Sequence, residues 1–235
     1  LVLSNTSTTD MTSTARDRIF SRIRTSLGVK PGQDPREAVV ARRMAERQRH
    51  LIPARAQLPA AEARAQFATY LTRGKASVID VATVADVPMA IATYLRDHNG
   101  PPRLRFGDDR RLAALPWQTA PGIEIARGRA DPADEVTLSY ALAGAAETGT
   151  LILASGPDNP VTLSFLPDTH LVVLDADTLV GGYEDAIAIV RQRFGDRVMP
   201  RTLNLISGPS RTADIGGIPV MGAHGPRHLA VFVVG

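Results

Sequence analysis

A chain of 235 residues with 44% hydrophobic and 22% charged side chains has the make-up of a globular protein able to bury a sizeable core. It contains no cysteine, which excludes disulfides, thiol catalysis, and iron–sulfur or cysteine-based zinc sites held by its own thiolates. The net charge of +3 is uneven: residues 15–73 carry 13 Lys/Arg against 5 Asp/Glu, whereas residues 74–235 carry 14 against 18.

No apolar run reaches the roughly 20 residues that cross a bilayer. The opening residues lack a basic region followed by an apolar stretch, so no signal peptide is expected. Residues 1–14 are rich in Thr and Ser and read as a disordered or vector-derived tail, with Met11 a plausible native start.

Residues 15–74 read as a helical module. Ile19, Phe20, Ile23 and Leu27 share one side of a helix that Gly28 ends. Asp34-Pro35 fits an N-cap followed by proline at the first helical position, opening a second helix to about His50 with Val39, Val40, Met44 and Leu51 as its stripe. A third helix, from about Pro59 to Arg73, carries Phe67, Tyr70 and Leu71 and closes at Gly74. Phe20, Phe67 and Tyr70 are the aromatic residues of this basic segment, and no reading-helix pattern is present. Its charge is therefore read as a docking or solvated face rather than a nucleic-acid surface.

From residue 75 onward, short apolar runs alternate with turns and helices. Strands are predicted at 77–81, 103–106, 122–125, 135–138, 147–153 with a kink at Gly149, 171–174, 202–206 and 229–234. Helices are predicted at 86–96 and 183–194, with a short helical piece before Trp117. This alternation implies an α/β domain over 75–235 with a mostly parallel sheet, whose ligands gather at the carboxyl ends of strands.

Polar clusters interrupt this pattern. Ser207, Gly208, Ser210, Arg211, Thr212 and Asp214 follow the 202–206 strand, read here as buried. They form either an anion cradle of backbone N–H groups, hydroxyls and a guanidinium, or a capped turn with Arg211 paired to Asp214. Glu147-Thr148-Gly149-Thr150 places a carboxylate at a strand end, as base, nucleophile or ligand, or as an acceptor that holds a bulge. His224 and Gly225 lie in a Gly/Pro loop that faces the same cleft or bonds its own backbone, and Gly225-Pro226 disfavours a helical metal pair of His224 with His228. His170 precedes the all-apolar 171–174 strand. The Walker and dinucleotide glycine patterns and the Gly-x-Ser-x-Gly elbow are absent from the sequence.

Ala146–Thr150, Leu166–His170, Ser207–Ile215 and Gly222–Pro226, in this order and spacing, resemble the lactate-utilisation protein C family (LutC/YkgG, the LUD domain). Gly216 departs from the Glu that the family pattern has after Asp-Ile. The resemblance implies a three-layer α/β/α domain like that of ribose-phosphate isomerases, glucosamine-phosphate deaminases and CoA transferases. It also implies a place in a cytoplasmic, iron–sulfur-dependent L-lactate oxidation system. With no cysteine here, the clusters are expected in partner proteins and no cofactor in this chain. Glu147 is the candidate catalytic residue, and the remaining cluster residues are candidate ligand contacts. The alternative is a stand-alone enzyme for a phosphosugar or CoA thioester, with Glu147 as nucleophile or base.

Overall fold

The computed structural model describes residues 9–30, 35–46, 49, 51–195, 198–212 and 220–235. The chain divides into two compact units between His50 and Leu51. The first contains α1 (Thr9–Leu27) and α2 (Pro35–Glu46). Thus α1 begins inside the segment expected to be a tail. It ends where Gly28, at φ 64°, lets its own N–H and that of Val29 return to the carbonyls of Thr25 and Arg24 at 3.1 and 3.0 Å, a Schellman closure. Asp34, the expected cap of α2, lies outside the described residues. The predicted apolar stripes of both helices are exposed, with Phe20 at 41%, Ile23 at 47%, Val40 at 51% and Met44 at 61%.

The second unit is built on a six-stranded, all-parallel sheet. Its strands are β1 (Ser77–Val81), β2 (Arg103–Phe106), β3 (Glu124–Arg127), β4 (Val136–Tyr140), β7 (Thr169–Asp175) and β12 (His228–Val234), ordered β1-β12-β7-β4-β2-β3. Leu171-Val-Val-Leu174 is apolar throughout because both faces of β7 are covered. Leu171 and Val173 join Phe232, Leu104 and Phe106 beneath α4 (Val87–Asp97) and α5 (Arg110–Ala113). Val172 and Leu174 join Val231 and Val233 on the other face, beneath α3 (Ala60–Arg73). Helices on both sides of a parallel sheet make the three-layer α/β/α arrangement.

Phe67 and Leu71 of α3 are fully buried in that second core, and this fixes where α3 belongs. Grouped by sequence with the helices before it, α3 instead belongs to the second unit, so the boundary falls at 50/51 and not at 74/75.

A second sheet also departs from expectation. It comprises β5 (Ala143–Ala145), β6 (Thr150–Ala154), β8 (Leu179–Val180) and β9 (Leu203–Ile206), ordered β8-β5-β6-β9. Leu151 and Leu153 of β6 face the α3 core, whereas Ile152 faces Ala186 and Val190 of α7 (Tyr183–Phe194). The predicted kinked strand at 147–153 is therefore the turn and second arm of an antiparallel β5–β6 hairpin. The 202–206 strand, expected to be buried, is the edge strand β9, antiparallel to β6, with Leu205 50% exposed. The short α6 (Thr162–Phe165) and the ribbon of β10 (Arg211–Thr212) and β11 (Val220–Met221) complete the described elements. Among the described residues no helix is long and apolar enough to cross a membrane.

Candidate functional site

The loop that leaves β9 meets the amino ends of β7 and β12 around a cavity of about 330 Å3. His170, Ser207, Gly208, Ser210, Arg211, Thr212, His224 and Gly225 all line it. These residues thus share a cavity, at the opposite edge of the parallel sheet from the carboxyl edge expected for the cleft. The expectation assumed that β9 was a strand of the parallel sheet. Because β9 belongs to the second sheet, its exit loop falls beside the start of β7, where His170 is the second residue.

His170 is fully buried, and its Nε2 lies 2.9 Å from Ser139 Oγ on β4. Among the described residues its Nδ1 has no partner, and neither has the buried Oγ of Ser164 on α6, another residue of the cavity wall. Burial pushes the His170 pKa down to about 3, so the imidazole is neutral at physiological pH. A neutral ring carries one N–H and one lone pair. If Ser139 donates to Nε2, then Nδ1–H is a donor; if Nε2–H donates to Ser139, Nδ1 accepts. Either way, two residues that line the cavity hold buried polar atoms with no hydrogen-bond partner among the described residues.

The rim is organised from within the protein. Ser210 N–H donates to Pro226 O at 2.8 Å, Ser210 Oγ accepts from His224 N–H at 3.2 Å, and Ser210 O accepts from Gly222 N–H at 2.9 Å. These bonds tie the two sequence clusters into one wall, and they engage Ser210 in doing so. The hydroxyl of Ser207 is likewise engaged, 2.6 Å from Thr150 Oγ1. Of the proposed cradle, Arg211 is exposed and supplies a cation to the wall. Asp214, its expected partner, and Gly216 both lie outside the described residues.

Glu147, Thr148, Gly149 and Thr150 are absent from the described lining of the cavity and form a neighbouring structure. Glu147 is 7% exposed; its Oε1 accepts from the N–H of Tyr183, the first residue of α7, at 3.0 Å. Its Oε2 lies 3.4 Å from Arg55 Nη2. The carboxylate thus meets the positive end of α7, as an acceptor at a helix N-terminus does. Gly182 permits this approach, since a Cβ there would sit 2.9 Å from Glu147 Oε1. Gly149 turns the hairpin at φ 64° and lies so close to α3 that a Cβ would fall 2.6 Å from that of Tyr70. Thr148, Thr150 and Tyr183 pool their hydroxyls at 2.7–3.0 Å, and Thr150 passes this network on to Ser207.

Ser139, Ser164, Tyr183 and Arg55 escaped the reading of the sequence. A signal existed for Ser139: in Val136-Thr-Leu-Ser-Tyr140, Thr137 and Ser139 alternate with three apolar residues, marking a polar face on a buried strand. Tyr183 follows Gly181-Gly182 at a helix start, which marks the turn but not the hydroxyl network. Ser164 and Arg55 carried no signal.

Residues 60–234 match the LUD domain family. The chain belongs to that family. Among LUD-domain relatives, it is 34% identical over 196 residues to lactate utilization protein C of Deinococcus radiodurans, covering 78% of this chain and 84% of that one. It is 32% identical over 180 residues to the uncharacterised protein YkgG of Escherichia coli, covering 72% and 77%. In other, shorter matches of higher identity, the chain spans only 40–49% of the relative's length. A crystal structure of a DUF162 family protein from Deinococcus radiodurans superposes with a TM-score of 0.55 at 29% identity, covering 76% of this chain and 99% of that one.

Proposed function

We propose that this LUD-domain chain is a subunit of a cytoplasmic, iron–sulfur-dependent L-lactate utilisation system. It binds a small anionic ligand in the amino-edge cleft and docks to cluster-bearing partner chains. The name of the Deinococcus radiodurans relative supports the lactate role. The observation that carries ligand binding is that two residues with buried polar atoms unpartnered among the described residues, His170 (Nδ1) and Ser164 (Oγ), line one cavity with Arg211. Arg211 takes the anionic group, and the neutral floor takes a hydroxyl or carbonyl.

The absence of cysteine supports placing the clusters in other chains. The exposed stripes of α1 and α2 support docking: Ile19, Phe20 and Ile23 lie beside Arg16 and Arg24, whose guanidinium carbons stand 5.1 and 5.8 Å from the Phe20 ring centroid. A groove with apolar walls and acidic rims suits such helices. The competing reading, with Glu147 as nucleophile or base of a stand-alone enzyme, has less support because both carboxylate oxygens are engaged.

Native mass spectrometry of chain purified gently from its own cells tests both halves. A small anion and a cysteine-rich partner are expected to accompany the chain. Arg211→Ala removes the first, and Phe20→Glu with Ile23→Glu removes the second. A chain that arrives alone and empty at low salt contradicts the reading.

A further inference from the structure

A cavity of about 770 Å3 lies at the other end of the parallel sheet from the candidate cleft. It is bordered by Asp108 and Asp109, which follow β2, and by Leu142, which follows β4. This is the carboxyl edge, where open parallel sheets gather their ligands. Gly107 is the residue that closes its wall. A Cβ there would fall 2.2 Å from Asp158 O, and Asp108 N–H donates to Pro157 O at 2.9 Å, so the loop after β6 lies across the end of β2.

Arg111 is held in place at this edge. Asp109, itself 5% exposed, accepts from its Nε at 3.2 Å and its Nη2 at 2.8 Å, while the guanidinium carbon stands 3.7 Å from the Tyr140 ring centroid. Tyr140 in turn donates its hydroxyl to Asp175 at the end of β7. Burial, together with that hydrogen bond, pushes the phenol above its ordinary range and keeps it a donor. A guanidinium has about five N–H donors, so Asp109 leaves several of them free. Arg110 and Arg193 border the same cavity, both exposed and without a carboxylate partner among the described residues. Leu142, Ile189 and Phe194 supply an apolar wall, and Asp108 and Asp158 supply acceptors.

This combination selects a ligand class. An inorganic anion would leave most of the volume and the whole apolar wall unused, and the two further carboxylates would repel it. A molecule with a phosphate, hydroxyl groups and an apolar or planar body uses every part of the lining. We propose that the carboxyl-edge cavity binds an organic phosphate ester of nucleotide size. Its phosphate lies on Arg110, Arg111 and Arg193, its hydroxyls on Asp108 and Asp158, and its body on Leu142, Ile189 and Phe194. Nothing in this proposal depends on a ligand in the amino-edge cleft.

Calorimetric titration of the full chain with ADP, and separately with inorganic pyrophosphate, tests it. ADP is expected to bind more tightly than pyrophosphate. Arg110→Ser combined with Arg193→Ser is expected to weaken ADP by about tenfold or more, the loss expected for charged hydrogen-bond donors. These two side chains are exposed, so a melting curve matching the parent establishes that the variant is folded. Arg211→Ser, at the other edge, leaves ADP affinity within about twofold while removing the anion of the amino-edge cleft; the two sites thus fail separately. The proposal is overturned if folded chain binds neither probe, if pyrophosphate binds as tightly as ADP, if the double variant binds ADP undiminished, or if Arg211→Ser abolishes ADP binding.

Discussion

The Glu147–Thr150 turn and the amino-edge cleft both contain buried polar side chains, and the Thr150–Ser207 hydrogen bond joins the turn to the rim of the cleft. They differ in whether their polar atoms are satisfied. In the turn, Glu147 reaches Tyr183 N–H and Arg55, and the Thr hydroxyls reach each other and Tyr183. In the cleft, His170 Nδ1 and Ser164 Oγ have no partner among the described residues. Buried polarity that closes on itself positions the backbone. Polarity left open costs stability until something enters, and a native fold retains it where a ligand offsets the cost. Residues of the same chemical type are thus satisfied on one side of Thr150 and without a partner among the described residues on the other.

Substitutions separate the two roles. The largest effect is expected in the turn. Gly149→Ala forces a side chain into a left-handed backbone and against Tyr70, and should lower unfolding free energy by about 3 kcal/mol in a urea titration. A loss below about 1 kcal/mol would show that the turn and α3 move apart freely.

Acid should act mainly on the cleft. The His170 pKa is about 3 when folded, against an ordinary value of 6.5. Between these values the unfolded chain binds the extra proton, so stability is lost as pH falls below 6.5. The loss attributable to His170 should reach about 2 kcal/mol at pH 5. In His170→Gln that share should disappear from the difference between denaturation midpoints at pH 7 and pH 5; an unchanged difference would mean that the ring is solvated. A smaller effect, about 1.5 kcal/mol, is expected for Glu147→Ala, through loss of the acceptor at the start of α7. The Arg55 pair adds little, since that side chain is 55% exposed. Ser164→Ala should change stability least, by under about 0.5 kcal/mol, because its hydroxyl makes no hydrogen bond among the described residues. A large loss there would mean that Ser164 has a partner in the fold and belongs with the architecture.

The middle of the central sheet is legible in the sequence because β4, β7 and β12 are buried on both faces and read as short apolar runs. The helix at Tyr183–Phe194 was legible from its spacing. The second sheet was not: Ala143-Gly-Ala145 and Leu179-Val180 are too short to show a period, and without them β9 was assigned to the wrong sheet. That single misplacement moved the expected cleft to the opposite edge. Phe67 and Leu71 gave α3 its apolar stripe, but a stripe names no partner, so α3 was grouped with helices whose own stripes remain exposed. The polar loop clusters are legible because Gly, Ser, Arg and His are conspicuous between apolar runs. Whether a hydroxyl or carboxylate is satisfied depends on contacts such as Thr150–Ser207 across 57 positions, which local pattern does not encode.

The central claim is that the cleft lined by His170 and Arg211 is a binding site. It is tested most directly by following the His170 imidazole nitrogens by NMR while L-lactate is added to the full chain, with His170→Gln identifying the signals. The account predicts that the Nδ1 resonance shifts saturably, that Nε2 beside Ser139 moves much less, and that Arg211→Ala abolishes the shift. An Nδ1 resonance that stays fixed up to saturating L-lactate, or that shifts equally in Arg211→Ala, would contradict it.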